Sequence, residues 1–388
     1  MEKLDLKKKY ESVFGEASNL NYYFSPGRIN VIGEHIDYNG GLVFPCAISL
    51  GTYAVLSLRD DNKICVYSEG LPEDGIISFS LLEDLHKDDN WVDYVKGVVS
   101  ETKALGHDVK QGFTAYIYGN LPKGASVSSS ASLELLFAEI VRDLNNLELT
   151  DLDLVKISQK AENNFVGLRC GIMDQFAIGM SKKDHAILLD CASIEYEYVP
   201  LVLNDNVILI MNTNKSRKLV TSKYNERCEE CALGLEAINK KYKETKFLCD
   251  LKVEEFSEIE KAIDNPIVLK RVRHVVSEMD RVKKAVAALR NLDLVTVGEL
   301  LNQSHASLKN DYEVTGLELD TIVELAQSVD GVLGARMIGA GFAGCAIAIV
   351  KKSSVDEVVN KVKKEYKEII GYDCDILVAE TSNRTGRM

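Results

Sequence analysis

A short polar stretch near the N-terminus holds the residues best suited to chemistry. The segment GRINVIGEHIDYNGG, residues 27–41, brings Arg28, Glu34, His35 and Asp37 close together along the chain and then ends in two glycines. Carboxylates accept hydrogen bonds, an imidazole can donate or accept one, and a guanidinium adds a fixed positive charge. A protein core rarely accommodates such a set, so the stretch predicts a site that binds a small polar molecule.

A second candidate is the serine-rich stretch LPKGASVSSSASLELL, residues 121–136. Small residues lead into a helical pattern, and a helix start offers unpaired N–H groups and the positive end of a dipole, both of which attract phosphate. The hydroxyls of Ser128, Ser129 and Ser130 can add hydrogen bonds or an Mg²⁺ contact. Simple helix capping by serine explains the same pattern, and the Walker A spacing is absent.

Two further segments contain isolated chemical signals. In CGIMDQFAIGM, residues 170–180, Asp174 interrupts an apolar run, which is typical of a general base or of a solvated turn carboxylate. In MIGAGFAGCAIAIV, residues 337–350, three glycines precede an apolar strand, which favours a tight turn with close backbone packing. A Rossmann fingerprint is a weak alternative because its glycines follow a strand.

The surrounding pattern predicts the elements that position these residues. Residues 41–68 are β-rich, residues 29–32 suit a core strand, and residues 150–165 are helical with a cap at Thr150 or Asp151. Charged, periodic helices dominate from about residue 215 to 310. This change in character predicts an N-terminal domain at 1–200 and a C-terminal domain at 201–388.

Composition narrows the class of protein. A chain of 388 residues with net charge −13 predicts two globular domains and no broad nucleic-acid surface. No run approaches the ~18 apolar residues of a membrane span. The nine cysteines are scattered, which indicates reduced thiols and a cytoplasmic protein. Cys228 and Cys231 form a C-x-x-C in a helical pattern, where a structural role is favoured over a zinc site.

In this order, the motifs resemble those of the galactokinases. SPGRINVIGEHIDYNGGLVFPCAI is similar to the galactokinase signature, and the serine and glycine clusters resemble the second and third motifs of the wider GHMP kinase superfamily. The likeness extends over essentially the whole chain. It implies an α+β, two-domain GHMP kinase fold with a ribosomal protein S5 domain 2-like N-terminal domain and a ferredoxin-like C-terminal domain. The active site would lie in the cleft between them. The implied reaction is phosphorylation of the C1 hydroxyl of α-D-galactose by ATP.

The resemblance also assigns roles to individual residues. Asp174 matches the catalytic base, and Arg28 matches its charge partner. The implied sugar ligands are Glu34, His35, Asp37, Gly171 and Tyr224. The implied ATP site comprises Gly124, Ala125, Ser126, Val127, Ser128, Ser129 and Ser130 around the phosphates, with Trp91 and Tyr94 near the adenine. Ser130 and Glu162 match the Mg²⁺ ligands. Galactose and ATP are then the partners of a monomer or weak dimer.

Several positions depart from the family pattern. Ile36 and Ile338 stand where threonine is usual, Ser126 and Ala343 where glycine is usual, and Val127 where leucine is usual. Two alternatives therefore stay open at this point: a galactose-binding sensor with impaired catalysis, and a kinase for a related sugar such as N-acetylgalactosamine.

Overall fold

Three β-sheets organise the computed structural model, which describes residues 2–122, 127–168, 170–216 and 220–388. In chain order the strands are β1 (Asn21–Asn30), β2 (Leu42–Val43), β3 (Pro45–Leu58), β4 (Lys63–Ser68), β5 (Ile77–Ser80), β6 (Phe113–Gly119), β7 (His185–Asp190), β8 (Tyr196–Pro200), β9 (Asn206–Asn212), β10 (Val332–Met337), β11 (Cys345–Lys351), β12 (Asp375–Ala379) and β13 (Gly386–Arg387). The sheet orders are β13-β1-β3-β6-β4-β5, β10-β11-β9-β12 and β2-β7-β8. The strand pairs are antiparallel except that β4 and β6 run parallel.

Helices pack against these sheets, and the N-terminal ends of some of them carry residues of the candidate site. They are α1 (Lys3–Phe14), α2 (Val92–Ala104), α3 (Ser129–Leu144), α4 (Asp151–Lys160), α5 (Met173–Met180), α6 (Val220–Lys241), α7 (Phe256–Ala262), α8 (Pro266–Arg290), α9 (Leu294–Ser307), α10 (Leu317–Gln327) and α11 (Val355–Ile370). The predicted cap of α4 is Thr150, whose side chain accepts from the Asp153 backbone while Asp153 accepts in return. π-helical turns, which are frequent at functional sites, follow α4 and α9 at 161–166 and 308–312.

The first polar motif is anchored in the larger hydrophobic core. Ile29, Val31 and Ile32 are fully or almost fully buried there, together with the apolar side chains of β9 and β11. The predicted strand over 29–32 is wrong at its end, because β1 stops at Asn30. The Asn30 side chain accepts a hydrogen bond from the backbone N–H of Phe44, and the Val31 N–H donates to the Phe44 carbonyl. The chain therefore leaves the sheet just before its cluster of polar residues.

The last residues of the sequence return to the first sheet. β13 pairs with β1 through Tyr23–Arg387 and Phe24–Gly386, and Thr381 forms a bridge to Ile48. The hydroxyls of Ser25 and Thr385 are 2.7 Å apart in the buried interior. The division into domains at 1–200 and 201–388 stays a prediction. β13 belongs to the second of these ranges, but it pairs with β1 of the first range.

Candidate active site

A cavity of about 280 Å³ collects the residues that the sequence assigned to catalysis and to the sugar. It lies between the polar motif of residues 27–41, the start of α5, the N-terminal part of α6 and the glycine cluster of residues 337–350. Its lining includes Arg28, Glu34, His35, Asp37, Gly171, Asp174 and Tyr224, together with Asn30, Gly339 and Ala340. Residues far apart in the sequence therefore meet around one space large enough for a small polar ligand.

Arg28 and Asp174 form a two-pronged ion pair on the wall of this cavity. The Arg28 Nε donates to Asp174 Oδ1 at 2.8 Å, and Nη2 donates to Oδ2 at 2.7 Å. Such parallel bonds fix the plane of the carboxylate as well as its position. The Asp174 side chain is about one-third exposed, and Asp174 is one of the residues that line the cavity. The reading of Asp174 as a plain solvated turn residue is therefore wrong.

The Ser128 hydroxyl also donates to Asp174 Oδ2. Ser128 precedes α3 at φ 61°, in the left-handed region, and makes no side-chain cap to that helix. The capping interpretation of the serine cluster is therefore wrong for Ser128. Its hydroxyl instead joins the carboxylate of α5 to the start of α3.

Glu34 is held from three sides. The fully buried Arg336 places Nη2 at 2.8 Å from Glu34 Oε1, and the Gly339 N–H donates to the same oxygen at 2.9 Å. Asn30 Nδ2 donates to Oε2 at 3.2 Å. Neither Arg336 nor Asn30 was among the site residues predicted from the sequence. The signal for Arg336 was present, because it is a charged residue in an apolar strand, just as Asp174 is in an apolar helix.

His35 and Asp37 have shifted titration behaviour. Burial, with the nearby His274, lowers the pKa of His35 to about 3, so the ring is neutral at pH 7. Burial and the Glu34 carboxylate raise the pKa of Asp37. The Tyr224 ring lies 5.7 Å from that of His35, between centroids, and completes this side of the cavity.

A separate cluster of carboxylates surrounds Gln175, the residue that follows Asp174. Gln175 Nε2 donates to Glu134 Oε2 at 3.0 Å and to Glu162 Oε2 at 2.7 Å, and the Cys170 thiol lies 3.4 Å from the same Glu162 oxygen. The Ser130 hydroxyl also hydrogen-bonds Glu162. Burial raises the pKa of both glutamates, and Glu162 raises that of Glu134 further. The predicted pair Ser130 and Glu162 is thus brought together, whereas Glu134 and Gln175 were missed.

A second cavity, of about 300 Å³, is lined in part by Ser129 and Ser130. Trp91 and Tyr94, at the start of α2, form part of its wall, as do Leu71 and Leu133. This more apolar lining contrasts with the polar wall around Asp174. Of the predicted phosphate loop, Gly124, Ala125 and Ser126 lie outside the described residues. Val127 is buried, and its carbonyl accepts from the Arg28 backbone N–H at 3.2 Å.

Four of the departures from the family pattern are buried apolar residues. Ile36, Val127, Ile338 and Ala343 are each at most 2% exposed, and the first three belong to the larger core. The glycine cluster of residues 337–350 makes the predicted tight turn, with φ of 78°, 77° and 90° at Gly339, Gly341 and Gly344. A Cβ on Gly341 would stand 2.2 Å from the Val314 carbonyl oxygen, so a side chain has no room there.

Comparison with known proteins places this geometry in a family. Residues 8–58 match the galactokinase galactose-binding signature, residues 93–182 the GHMP kinases N terminal domain, and residues 285–368 the GHMP kinases C terminal model. The structure superimposes on that of Lactococcus lactis galactokinase complexed with galactose with a TM-score of 0.90, at 46% identity and 99% coverage of both chains. Methanococcus jannaschii mevalonate kinase, at 20% identity and covering 95% of this chain and 100% of its own, gives a TM-score of 0.69 and shares the fold.

The fold and the matched domains define a GHMP kinase, which confirms the predicted two-domain architecture. A galactokinase of Clostridium perfringens strain 13 is 51% identical over 385 residues, covering 99% of each chain. That of Clostridium acetobutylicum is 49% identical over 370 residues, covering 95% of this chain and 94% of its own. The chain belongs to the galactokinase family, and the predicted enzyme class, an ATP-dependent sugar kinase, is confirmed.

Proposed function

We propose that the chain transfers the γ-phosphoryl group of ATP to the C1 hydroxyl of α-D-galactose, giving galactose 1-phosphate and ADP. The observation that carries this assignment is the two-pronged Arg28–Asp174 pair on the wall of a cavity that Glu34, His35 and Asp37 also line. Family membership supplies the reaction type, and this pair supplies the groups that the reaction requires.

In the proposed mechanism Asp174 accepts the proton of the C1 hydroxyl as that oxygen bonds to the γ-phosphorus. The bond from phosphorus to the bridging oxygen of ADP breaks, and ADP leaves with that electron pair. Arg28 fixes the carboxylate and places positive charge beside the transferring group. Phosphoryl transfer is mainly positioning and charge stabilisation, so a base of modest strength is sufficient.

The sugar is held by groups that match the two-way hydrogen bonding of hydroxyls. Glu34 and Asp37 accept, the Gly171 N–H donates, and His35 and Tyr224 complete the set. Because Glu34 is already bound by Arg336, Gly339 and Asn30, its orientation is fixed before the sugar arrives. An epimer with one hydroxyl inverted would leave a buried group unpaired, which supports selection for galactose.

ATP would occupy the second cavity, with its adenine near Trp91 and Tyr94 and its phosphates at the stretch 124–130. Ser129 and Ser130 line the second cavity and open α3, whose N-terminal N–H groups favour phosphate. The preceding Ser128 hydrogen-bonds Asp174, so a phosphate at this helix start would lie close to the proposed base.

Ser130 and Glu162 are the residues that would hold Mg²⁺. Both residues offer oxygen donors, and the buried Glu134 Oε1 has no hydrogen-bond partner within the described part of the chain, which suits a hard cation. No cluster of three or more His, Cys, Asp or Glu that could hold a metal occurs among the described residues. That agrees with Mg²⁺ that takes much of its coordination from substrate phosphates and water. Bound Mg²⁺ neutralises charge on the phosphates.

We also propose where the enzyme is located and what its partners and oligomeric state are. The nine scattered cysteines support a reducing, cytoplasmic location, and the acidic net charge of −13 supports small-molecule rather than nucleic-acid partners. We assign a monomer or weak dimer. Within the described residues, every helix is too short or too polar to cross a bilayer.

The test is ADP release from purified protein with Mg-ATP and galactose. Asp174→Ala and Asp174→Asn are expected to lower the turnover rate by about 10²–10⁴-fold, the range for loss of a general base. Calorimetry is expected to show that both variants still bind galactose. Glucose and N-acetylgalactosamine run in parallel are expected to be poor substrates. Wild-type protein that binds galactose but turns over no faster than Asp174→Ala would be a sensor, and preference for N-acetylgalactosamine would overturn the substrate assignment.

A further inference from the structure

A chain of hydroxyl groups continues from His35 away from the cavity. His35 Nδ1 lies 2.9 Å from the Tyr38 hydroxyl, and the Tyr38 hydroxyl lies 2.7 Å from that of Tyr312. The Tyr312 hydroxyl lies 3.1 Å from the Cys231 thiol. Tyr312 and Cys231 are buried, and they come from the π-helical turn after α9 and from α6. The proposed function uses none of the last three residues.

The direction of these hydrogen bonds decides which ring nitrogen of His35 carries the proton. If the thiol donates to Tyr312, Tyr312 to Tyr38, and Tyr38 to Nδ1, the chain ends on an imidazole nitrogen, which is a good acceptor. In the opposite direction it starts from Nδ1–H and ends on sulfur, a weak acceptor. The first direction is therefore favoured, and it leaves the proton on Nε2.

The other side of the ring is left for a ligand. Nε2 is buried and makes no hydrogen bond of normal geometry with the described residues. The backbone of Ala340, which also lines the cavity, lies close enough to interact with the ring. A neutral imidazole has a single N–H, so donation at Nε2 requires that Nδ1 accept.

We propose that Tyr38 and Tyr312 are positioning residues that hold His35 as the Nε2–H tautomer, so that it donates to a galactose hydroxyl. The inference rests on the proposed function for its ligand, but not for its tautomer. With this tautomer, Glu34 and Asp37 accept hydrogen bonds from the sugar hydroxyls and His35 donates one. A hydroxyl placed between them can then do both, which the opposite tautomer would prevent.

The direct test is the ¹⁵N spectrum of histidine-labelled protein, in which long-range couplings to the ring protons distinguish the two tautomers. The His35 signals are assigned by their loss in a His35→Gln variant. The wild type is expected to show protonated Nε2, and Tyr38→Phe is expected to mix the two forms or reverse them. Tyr366→Phe is the control, because Tyr366 is as fully buried as Tyr312 but donates to the Thr213 carbonyl elsewhere. Protonated Nδ1 in the wild type, or an unchanged tautomer in Tyr38→Phe, would overturn the proposal.

Galactose kinetics give a second readout. Tyr38→Phe is expected to raise the galactose KM about fivefold to tenfold, the effect of one lost hydrogen bond, and to change kcat by less than about twofold. Tyr312→Phe should raise KM less and shift the tautomer in the same direction, and it replaces Tyr38→Phe if that variant does not fold. Cys231→Ser retains a donor and should preserve the tautomer. A fall in kcat with KM unchanged would contradict a role in sugar binding. Absence of kinase activity in the wild type would remove the proposed function and leave the spectral result standing.

Discussion

The two carboxylate clusters of the candidate site differ in what balances their charge. On the sugar side Glu34 is paired with the buried Arg336, and Asp174 with Arg28. Behind Asp174, Glu134 and Glu162 share only the amide of Gln175 and the hydroxyl and thiol around it, and no described lysine or arginine pairs with either. Glu34 and Asp174 are therefore each balanced by an arginine of the chain itself, whereas the described residues supply no cation to the other cluster.

This difference separates two ways of building a binding site. A paired carboxylate keeps its charge and orientation without a ligand, so the sugar side is preorganised. An unpaired, buried pair of carboxylates opposes its own ionisation until a positive charge arrives. We therefore expect the sugar side to tolerate the loss of metal, and the second cluster to respond to both metal and pH.

Removing the arginine that pairs with Glu34 on the sugar side should have the largest effect on stability. Arg336→Met leaves Glu34 buried and uncompensated, which should lower the free energy of unfolding by about 3–5 kcal/mol. Urea unfolding measures it. Arg290→Met, which breaks the exposed pair with Glu197, is the control and should cost less than about 1 kcal/mol. Adding Glu34→Gln to Arg336→Met should recover part of the loss, and equal costs for the two arginine variants would contradict the comparison.

The unpaired cluster should make the metal-free protein less stable as pH rises. Both glutamates have a raised pKa in the folded state, so their protonated forms contribute stability below the ordinary value of about 4.3, and that stability is lost as pH rises through the raised values. Each group that stays protonated on folding costs about 1.4 kcal/mol per pH unit in this window.

Glu134→Gln should flatten that decline in the presence of EDTA, by about 1–3 kcal/mol between pH 5.5 and 8. Urea unfolding at several pH values measures it, and the exposed Glu148→Gln serves as the control. Mn²⁺ binding followed by electron paramagnetic resonance should weaken in Glu134→Gln if this carboxylate contributes charge to the cation site. The same slope in wild type and Glu134→Gln would show that the cluster does not carry the pH dependence.

The smallest effect is expected where the chain departs from its family. Ile338→Thr restores the usual residue, but it places a hydroxyl among the core side chains that now surround Ile338. It should lower the free energy of unfolding by about 1–2 kcal/mol and leave the ATP KM within about twofold. Differential scanning calorimetry and steady-state kinetics measure the two effects. A large fall in the ATP KM would mean that position 338 reaches the phosphates after all.

Contiguous features of the site could be predicted from sequence, and features that depend on folding could not. The polar motif at 27–41, the isolated Asp174 and the Thr150 cap all lie within short segments whose pattern is visible in the chain. The strand end at Asn30 was missed because periodicity does not distinguish a buried loop from a buried strand.

The missed partners are of a different kind. Glu34 and Gly339 stand 305 positions apart, and Glu134 and Gln175 stand 41 apart, so only the fold reveals that they touch. Arg336 carried a readable signal, a charge in an apolar strand, but nothing in the sequence said which acid would face it. Sequence could thus name the groups proposed to contact substrate more readily than the groups that hold them in place.

The pairing of β13 with β1 has a consequence for how the protein is made. β1 carries Arg28, and its outer edge is covered by residues that are synthesised more than 350 positions later, as the Tyr23–Arg387 pair illustrates. Until those residues emerge from the ribosome, that edge exposes unpaired backbone groups to other nascent strands. The sheet that carries Arg28, the proposed partner of the catalytic base, is therefore completed late in biosynthesis.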